Sequence, residues 1–477
     1  MKLEIENGVL TACFPEADET EAVIPAGVTV IDAGAFLRCT ALHRIVLPDS
    51  VTEIRTQAFE DCVELTAVHV GSGLRQIGAY AFRYCGQLRE IRLPDCTEQI
   101  GAGAFYYCHS LEEFTVPANV QEISECLFLN CTSLHRVTLP AGIRSIGEYA
   151  FSDCQSLREI MLPDSVQRIG RAAFTRCRSL RQITIPAGIR EIAQDTFLQC
   201  TALTAVSLPA GLETIGTGAF AADKSLAEIS LPDSLKEIGE RAFLDCYSLR
   251  EMTVPDAVTS IGWDAFAGAG FSALHLGSGL TKIGNGAFEW CKNLRTLTIP
   301  EHVEWIETKL LYQCENLEEL IISPNAALFT SALDDCKALR VIRFSPDDMA
   351  VYAEYGSVKE LDDHITNMLT MLRSGDYSRK VNAAVKYPLL VLHWLRTREP
   401  AAGKYLRKKL MSAMNILIPA GNVQAIAEML RDGHIFTKNK LDKCIAIAQE
   451  SGQQELFMLL MNYKKEHFGF SEKKLKL

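Results

Sequence analysis

The stretch LPDSVQRIGRAAFTRCRSLRQITIP, residues 162–186, decides the fold. Within it Leu180, Ile183 and Ile185 are spaced so that the two isoleucines share one face of a short strand. Pro186 ends that strand by withholding an amide donor, and Ala187-Gly188 turns the chain. Ile189 and Ile192 then point inward again. Outward from this unit the same order recurs. Phe stands at 36, 59, 82, 105, 128, 151, 174, 197, 220, 243 and 266, always 23 residues apart, then at 288, with Leu311 next in the column. Ile stands five residues before each Phe, from Ile31 to Ile261, and Leu six residues after it, from Leu42 onward. Strands stacked about 4.8 Å apart form a parallel sheet. The segment Gly147–Phe151 reads as a short helix or 3₁₀ turn that drops Phe into the interior, where its burial contributes roughly 1.5–3 kcal/mol. No single unit folds alone, so stability has to come from stacking on neighbours.

A 23-residue period with L-x-x-I-x-I strands lies within the leucine-rich-repeat range. The unit quoted above resembles the repeat of BspA-type leucine-rich-repeat proteins, and the resemblance covers residues 23–344. It implies an α/β repeat solenoid built on a parallel sheet. Residues 1–22 read as a capping hairpin, with Asn7-Gly8 as its turn. The period stops after Phe344, and 345–477 read as an all-α domain with helices over 357–373, 379–397, 403–417, 422–431, 438–450 and 453–466. Residues 421–464 resemble degenerate ankyrin repeats: Gly421, Ile426, Leu430 and Gly433 match one unit, and Leu441, Ala448, Gly452, Glu455, Leu459 and Leu460 the next. The T-P-L-H motif is absent, and a plain helical cap is the competing reading.

Charge divides along the same boundary. Residues 1–344 carry 28 Lys/Arg against 44 Asp/Glu, and 345–477 carry 20 against 15. An acidic solenoid is a poor match for a nucleic-acid backbone, which demands a cationic face. No stretch is apolar enough for a membrane span. The N-terminus MKLEIENGVLTACF lacks the apolar region of a signal peptide, so the expected compartment is the cytoplasm, with the cell surface as the alternative.

Twelve of the 16 cysteines fall in one column, three residues after Phe. They lack the close C-x-x-C pairs of metal sites and read as a buried, reduced ladder. Asp223 and Ala269 break the column. Gly101-Ala-Gly103 and Gly216-Thr-Gly218 belong to the repeat's turn and lack the Lys-Ser/Thr of a phosphate loop. Neither H-E-x-x-H nor G-x-S-x-G occurs. Catalytic, metal and cofactor residues are therefore expected to be none. The basic cluster Lys404, Arg407, Lys408 and Lys409 reads as a solvated helix face.

Binding is expected on the strand residues that lie between the inward ones, on the concave sheet surface. The eighth and tenth positions after Phe supply Arg44, Glu90, Arg92, Glu113, Arg136, Glu159, Glu228 and Glu251 as the candidate surface. Varied charge on a rigid solenoid suits recognition of a protein partner. The expected function is thus a non-catalytic protein-binding scaffold. The alternative is a surface or secreted adhesin, a role the BspA resemblance implies.

Overall fold

The computed structural model describes residues 2–14, 19–303, 305–323, 327–328, 332–339, 341–344, 349–352 and, between 367 and 469, all but 368–369, 372–373, 382 and 434. The chain forms two compact units, Met1–Leu320 with Ser331–Leu339, and Ile321–Thr330 with Arg340–Leu477.

The first unit is a parallel-strand solenoid, part of an array of about 13 turns. Most turns contribute to two ladders. One is made of three-residue strands such as Gln182–Thr184, paired in register with Ala205–Ser207. Ile183 and Ile185 are buried there while Gln182 and Thr184 face solvent, as the alternation in the sequence requires. The second ladder was only hinted at by the inward isoleucines. It pairs two-residue strands such as Ser145–Ile146 and Arg168–Ile169. The hairpin Lys2–Glu6 and Val9–Phe14 turns through Asn7 and Gly8, both at positive φ, and Val9–Leu10 pairs with Val30–Ile31 to begin this second ladder.

The segment around Phe is not helical. Tyr149 and Asp153, two residues before and after Phe151, have φ of 54° and 57°, and equivalent positions repeat this in turn after turn. Left-handed residues interrupt any helical run. Amide bonds alternate instead. Tyr149, Phe151 and Asp153 donate to Arg171, Ala173 and Thr175 of the next turn at 2.8–2.9 Å, while Ser152 and Cys154 donate locally to Tyr149 and Phe151. A third ladder of hydrogen bonds thus replaces the expected helix.

Inside, the phenylalanines form a continuous stack. Rings from Phe36 to Phe288 lie nearly parallel, with successive centroids 4.8–5.9 Å apart. Beside them runs the cysteine column. Each thiol from Cys62 onward donates to the carbonyl of the Phe column in the preceding turn, as Cys177 does to Phe151 and Cys246 to Phe220, both at 3.2 Å. All 16 cysteines are free thiols. Burial pushes the thiols of Cys85, Cys154 and Cys177 well above their ordinary pKa, because an apolar interior disfavours thiolate.

Asp223 occupies one place in that column and is fully buried. Its Oδ1 accepts the Cys200 amide at 2.7 Å, and its Oδ2 is without a hydrogen-bond partner among the described residues. Burial drives its pKa well above the ordinary 3.8, which favours the neutral acid. A neutral carboxyl carries one O–H donor, as a thiol does. Folding then binds a proton that the unfolded chain releases. The stability contribution of Asp223 is fully present below pH 3.8 and falls as pH rises towards its raised folded value, by about 1.4 kcal/mol per pH unit. Asp223→Cys should therefore be more stable than the parent at pH 8, with a gap that closes towards pH 4. Urea melts at several pH values measure this, and parallel profiles would refute it.

The second unit contains helices Ala383–Thr397, Pro400–Leu417, Val423–Arg431, Lys438–Glu450 and Gln454–Phe468. They match five of the six expected helices, while 357–373 falls almost wholly outside the described residues. Gly421, Gly433 and Gly452 end helices or turns at φ of 68–71°. Val341–Phe344 pairs antiparallel with Met349–Tyr352, a hairpin across the Ser345–Asp348 boundary that the sequence pattern does not announce.

Candidate functional site: the three-residue ladder

The strand positions chosen from the sequence all lie at the surface. Arg44, Glu90, Arg92, Glu113, Arg136, Glu159, Glu228 and Glu251 are exposed. Pleating puts them there: their strand neighbours, Ile45, Ile91, Phe114, Val137, Ile229 and Met252, take the buried side. Glu113 pairs in register with Arg136, and the Glu113 carboxylate lies 3.7 Å from the Arg136 guanidinium and 3.3 Å from His135 Nε2. Arg92 lies 3.8 Å from Glu90, and an Arg44 guanidinium nitrogen is 2.7 Å from His69 Nε2. These pairs are solvent-exposed, so each contributes roughly 0–1 kcal/mol. Their charge is consequently available to a partner at small cost.

The turns bring Glu90, Arg92 and Glu113 together around a hollow of about 970 Å³, which Arg89 and Glu112 also line. Glu228 and Glu251 stand on later, consecutive turns, away from that hollow. Glu159 departs from the expectation that it sits in a strand: residues 157–163 have no strand assignment, and the ladder is broken between Arg136–Thr138 and Gln182–Thr184. At that gap Met161 is 87% exposed, a large apolar side chain on a face whose only other strongly exposed apolar strand residue among those described is Val23.

A second surface was missed. A groove of about 930 Å³ follows the second ladder, lined by Glu53, Arg55, Glu98, Glu122, Glu148 and Arg168 among others. Its floor is a glycine column. At Gly147 a Cβ would lie 2.5 Å from the Glu125 amide nitrogen, so this turn as it stands has no room for a side chain there, although Arg55, Ser124 and Ala193 fill the column in other turns. The recurring glycines, read as mere turns, were the signal.

Among the described residues no cluster of three or more His, Cys, Asp or Glu is placed to hold a metal ion, and no helix is long and apolar enough to cross a membrane.

Comparison with known proteins places this geometry. No curated protein matches the chain. Among solved structures it is similar to a leucine rich cell surface protein from Faecalibacterium prausnitzii, at 26% identity over 72% of this chain and 95% of that one, with a TM-score of 0.46. A leucine-rich repeat protein from Bacteroides ovatus is 24% identical over 64% of this chain and 94% of its own, with a TM-score of 0.48. The pneumococcal vaccine antigen PcpA is 19% identical over 73% and 92%, with a TM-score of 0.43. The BspA type leucine rich repeat region matches in six copies over residues 9–135, 122–250 and 214–340. With its turns, core columns and family match in agreement across that span, the chain belongs to the BspA-type leucine-rich-repeat family.

Proposed function

We propose that this chain is a non-catalytic scaffold that binds a protein partner through the exposed face of its three-residue ladder. The carrying observation is the gathering of Glu90, Arg92 and Glu113 around one hollow, on strands whose opposite face is locked in the core. A rigid face loses little conformational entropy on binding, and mixed charge favours a partner of complementary pattern over others. Met161, exposed beside Glu159, offers the apolar anchor that protein interfaces use at their centre. The partner is a protein; the acidic solenoid disfavours nucleic acid.

Glu90→Lys with Glu113→Lys should lower stability by no more than about 1 kcal/mol, since both residues are exposed and the reversal only turns surface pairs with Arg92 and Arg136 into like-charge contacts. The same pair should weaken capture of the partner by about 2 kcal/mol or more, through like-charge juxtaposition. Capture by parent and variant chains, compared by mass spectrometry, tests this. A partner set unaffected by the double reversal, and by Met161→Ser, would remove this face from the interface. The second reading is a surface or secreted adhesin, the role that the resemblance to BspA-type repeats implies. Labelling of intact cells with an impermeant reagent separates it from an internal scaffold.

A further inference from the structure

The turn spacing breaks once inside the regular array. Phe266 and Phe288 are 22 residues apart where the preceding intervals are 23. Phe271 fills the core place that leucine takes elsewhere, buried and with its ring 5.6 Å from that of Phe266. Before it run Ala267, Gly268, Ala269 and Gly270, so the wall of this turn is both shortened and stripped of side chains. Gly268 has φ of +72°, and a Cβ there would lie 2.8 Å from the Asp245 carboxylate. A Cβ on Gly270 would overlap the Tyr247 carbonyl oxygen. The recess is therefore built into the backbone and is not a gap that a rotamer could close.

The flanking turns are not small. Tyr247 stands on one side and Trp290 on the other, 48% and 44% exposed, and with the recessed turn they enclose a notch of about 570 Å³. Trp263, 57% exposed, stands beside Asp264 on the middle turn. Tyr247 and Trp290 stand two turns apart, roughly 10 Å along the stack.

Carboxylates dominate the polar lining, with Lys292 and Asn293 also among its side chains. Asp245, Asp264 and Glu289 supply carboxylates. The donors here are engaged within the chain: Lys292 Nζ lies 3.6 Å from the Glu315 carboxylate, Trp290 Nε1 donates to Glu289 at 2.6 Å, and Asn293 Nδ2 donates to the Gly270 carbonyl at 3.4 Å. Asp264 already meets the Arg241 guanidinium at 3.4 Å, but each carboxylate has about four lone-pair sites, so accepting capacity remains. The rings meanwhile attract cations. Lys292 Nζ lies 5.4 Å from the Trp290 centroid and Lys224 Nζ 6.0 Å from that of Tyr247, both at the rim. A sugar would need donors from the site as well as acceptors. A guanidinium is flat, stacks on aromatic rings and has five donors and no acceptor.

We propose that this notch binds an arginine side chain presented by a protein partner, its guanidinium stacked against Tyr247 and Trp290 and its N–H groups on Asp245, Asp264 and Glu289. The site is separate from the ladder face and does not depend on that face being an interface.

The test is a titration of the full chain with the peptide acetyl-Gly-Arg-Gly-amide, read at the Trp290 indole N–H resonance, which Trp290→Phe assigns. A saturable shift is expected. The same peptide with citrulline in place of arginine, isosteric but uncharged, should bind about tenfold more weakly or worse, as should the parent peptide to Tyr247→Ala and to Asp245→Asn with Glu289→Gln. Lys292→Gln, which removes a competing cation, should tighten binding. The comparison of arginine with citrulline needs no variant, so a misfolded substitution cannot blur it. Equal binding of the citrulline peptide would overturn the proposal. So would an unmoved Trp290 resonance, or one moved only by an N-acetylglucosamine trimer. Glu90→Lys with Glu113→Lys should bind the arginine peptide as the parent does, which keeps this result apart from the ladder-face test.

Discussion

Phe151→Ala is expected to cost the solenoid about 3–5 kcal/mol and to broaden its unfolding transition. The ring is fully buried and lies between those of Phe128 and Phe174, at centroid distances of 5.5 and 5.3 Å. Truncation removes two stacking partners at once, and the hydrogen-bonded turns on either side cannot collapse to fill the space. Stability in a repeat array is close to a sum of local and neighbour terms, so the damage stays near the middle and the ends can remain folded. Calorimetry should show a lower, wider transition, and limited proteolysis should cut near residue 151. A single sharp transition at the parent temperature would mean that the stack contributes nothing.

Gly147→Ala should cost about 3 kcal/mol, the upper end of ordinary overpacking, despite adding one methyl group. The new Cβ would sit 2.5 Å from the Glu125 amide nitrogen and 2.7 Å from the Ser124 carbonyl carbon. Both are backbone atoms, held by ladder pairing of Glu122–Ile123 with Ser145–Ile146. No rotamer relieves the clash, so the turns must separate. Gly86 is the control: a Cβ there meets nothing within 4 Å and its φ is not positive. Gly86→Ala should change stability by only about 0.5 kcal/mol. Equal urea midpoints for the two variants would show that turn spacing is set elsewhere.

The core was legible in the sequence because each core column repeats the same chemistry. Phe151, Ile146, Cys154 and Leu157 are named by period alone, and the structure buries all four. The solenoid, its parallel pairing and the helical C-terminal region followed from the period and its end. What failed was the conformation of the Phe segment. A short helix or 3₁₀ turn was expected around Gly147–Phe151, whereas the left-handed positions flanking Phe are filled by Tyr149, Arg176 or Gln199 as often as by residues such as Asp153 that favour positive φ. Neighbouring turns impose that geometry through hydrogen bonds, and no window of one repeat contains them. The candidate surface was legible as exposure, since alternation alone turns Glu90 and Glu113 outward. Its grouping was not, because the hollow depends on how three turns sit side by side. The notch at Gly268 lay further still from reach. A single missing residue signals it, but its walls, Tyr247 and Trp290, come from turns before and after.

In-register ladders have a consequence for how such a chain changes over generations. Phe128, Phe151 and Phe174 see almost identical surroundings, as do Cys131, Cys154 and Cys177. A duplicated or lost segment of one whole period, wherever in the regular array it begins, rejoins matching edges and leaves every column aligned. Lineages can thus lengthen or shorten the wall by recombination between repeats, without a folding defect to select against. A change of one residue has no such freedom. It survives between Phe266 and Phe288 where Gly268 and Gly270 admit the tighter path. Binding surfaces on this scaffold can therefore diversify in steps of a turn, and a rare irregular turn marks where something other than length was under selection.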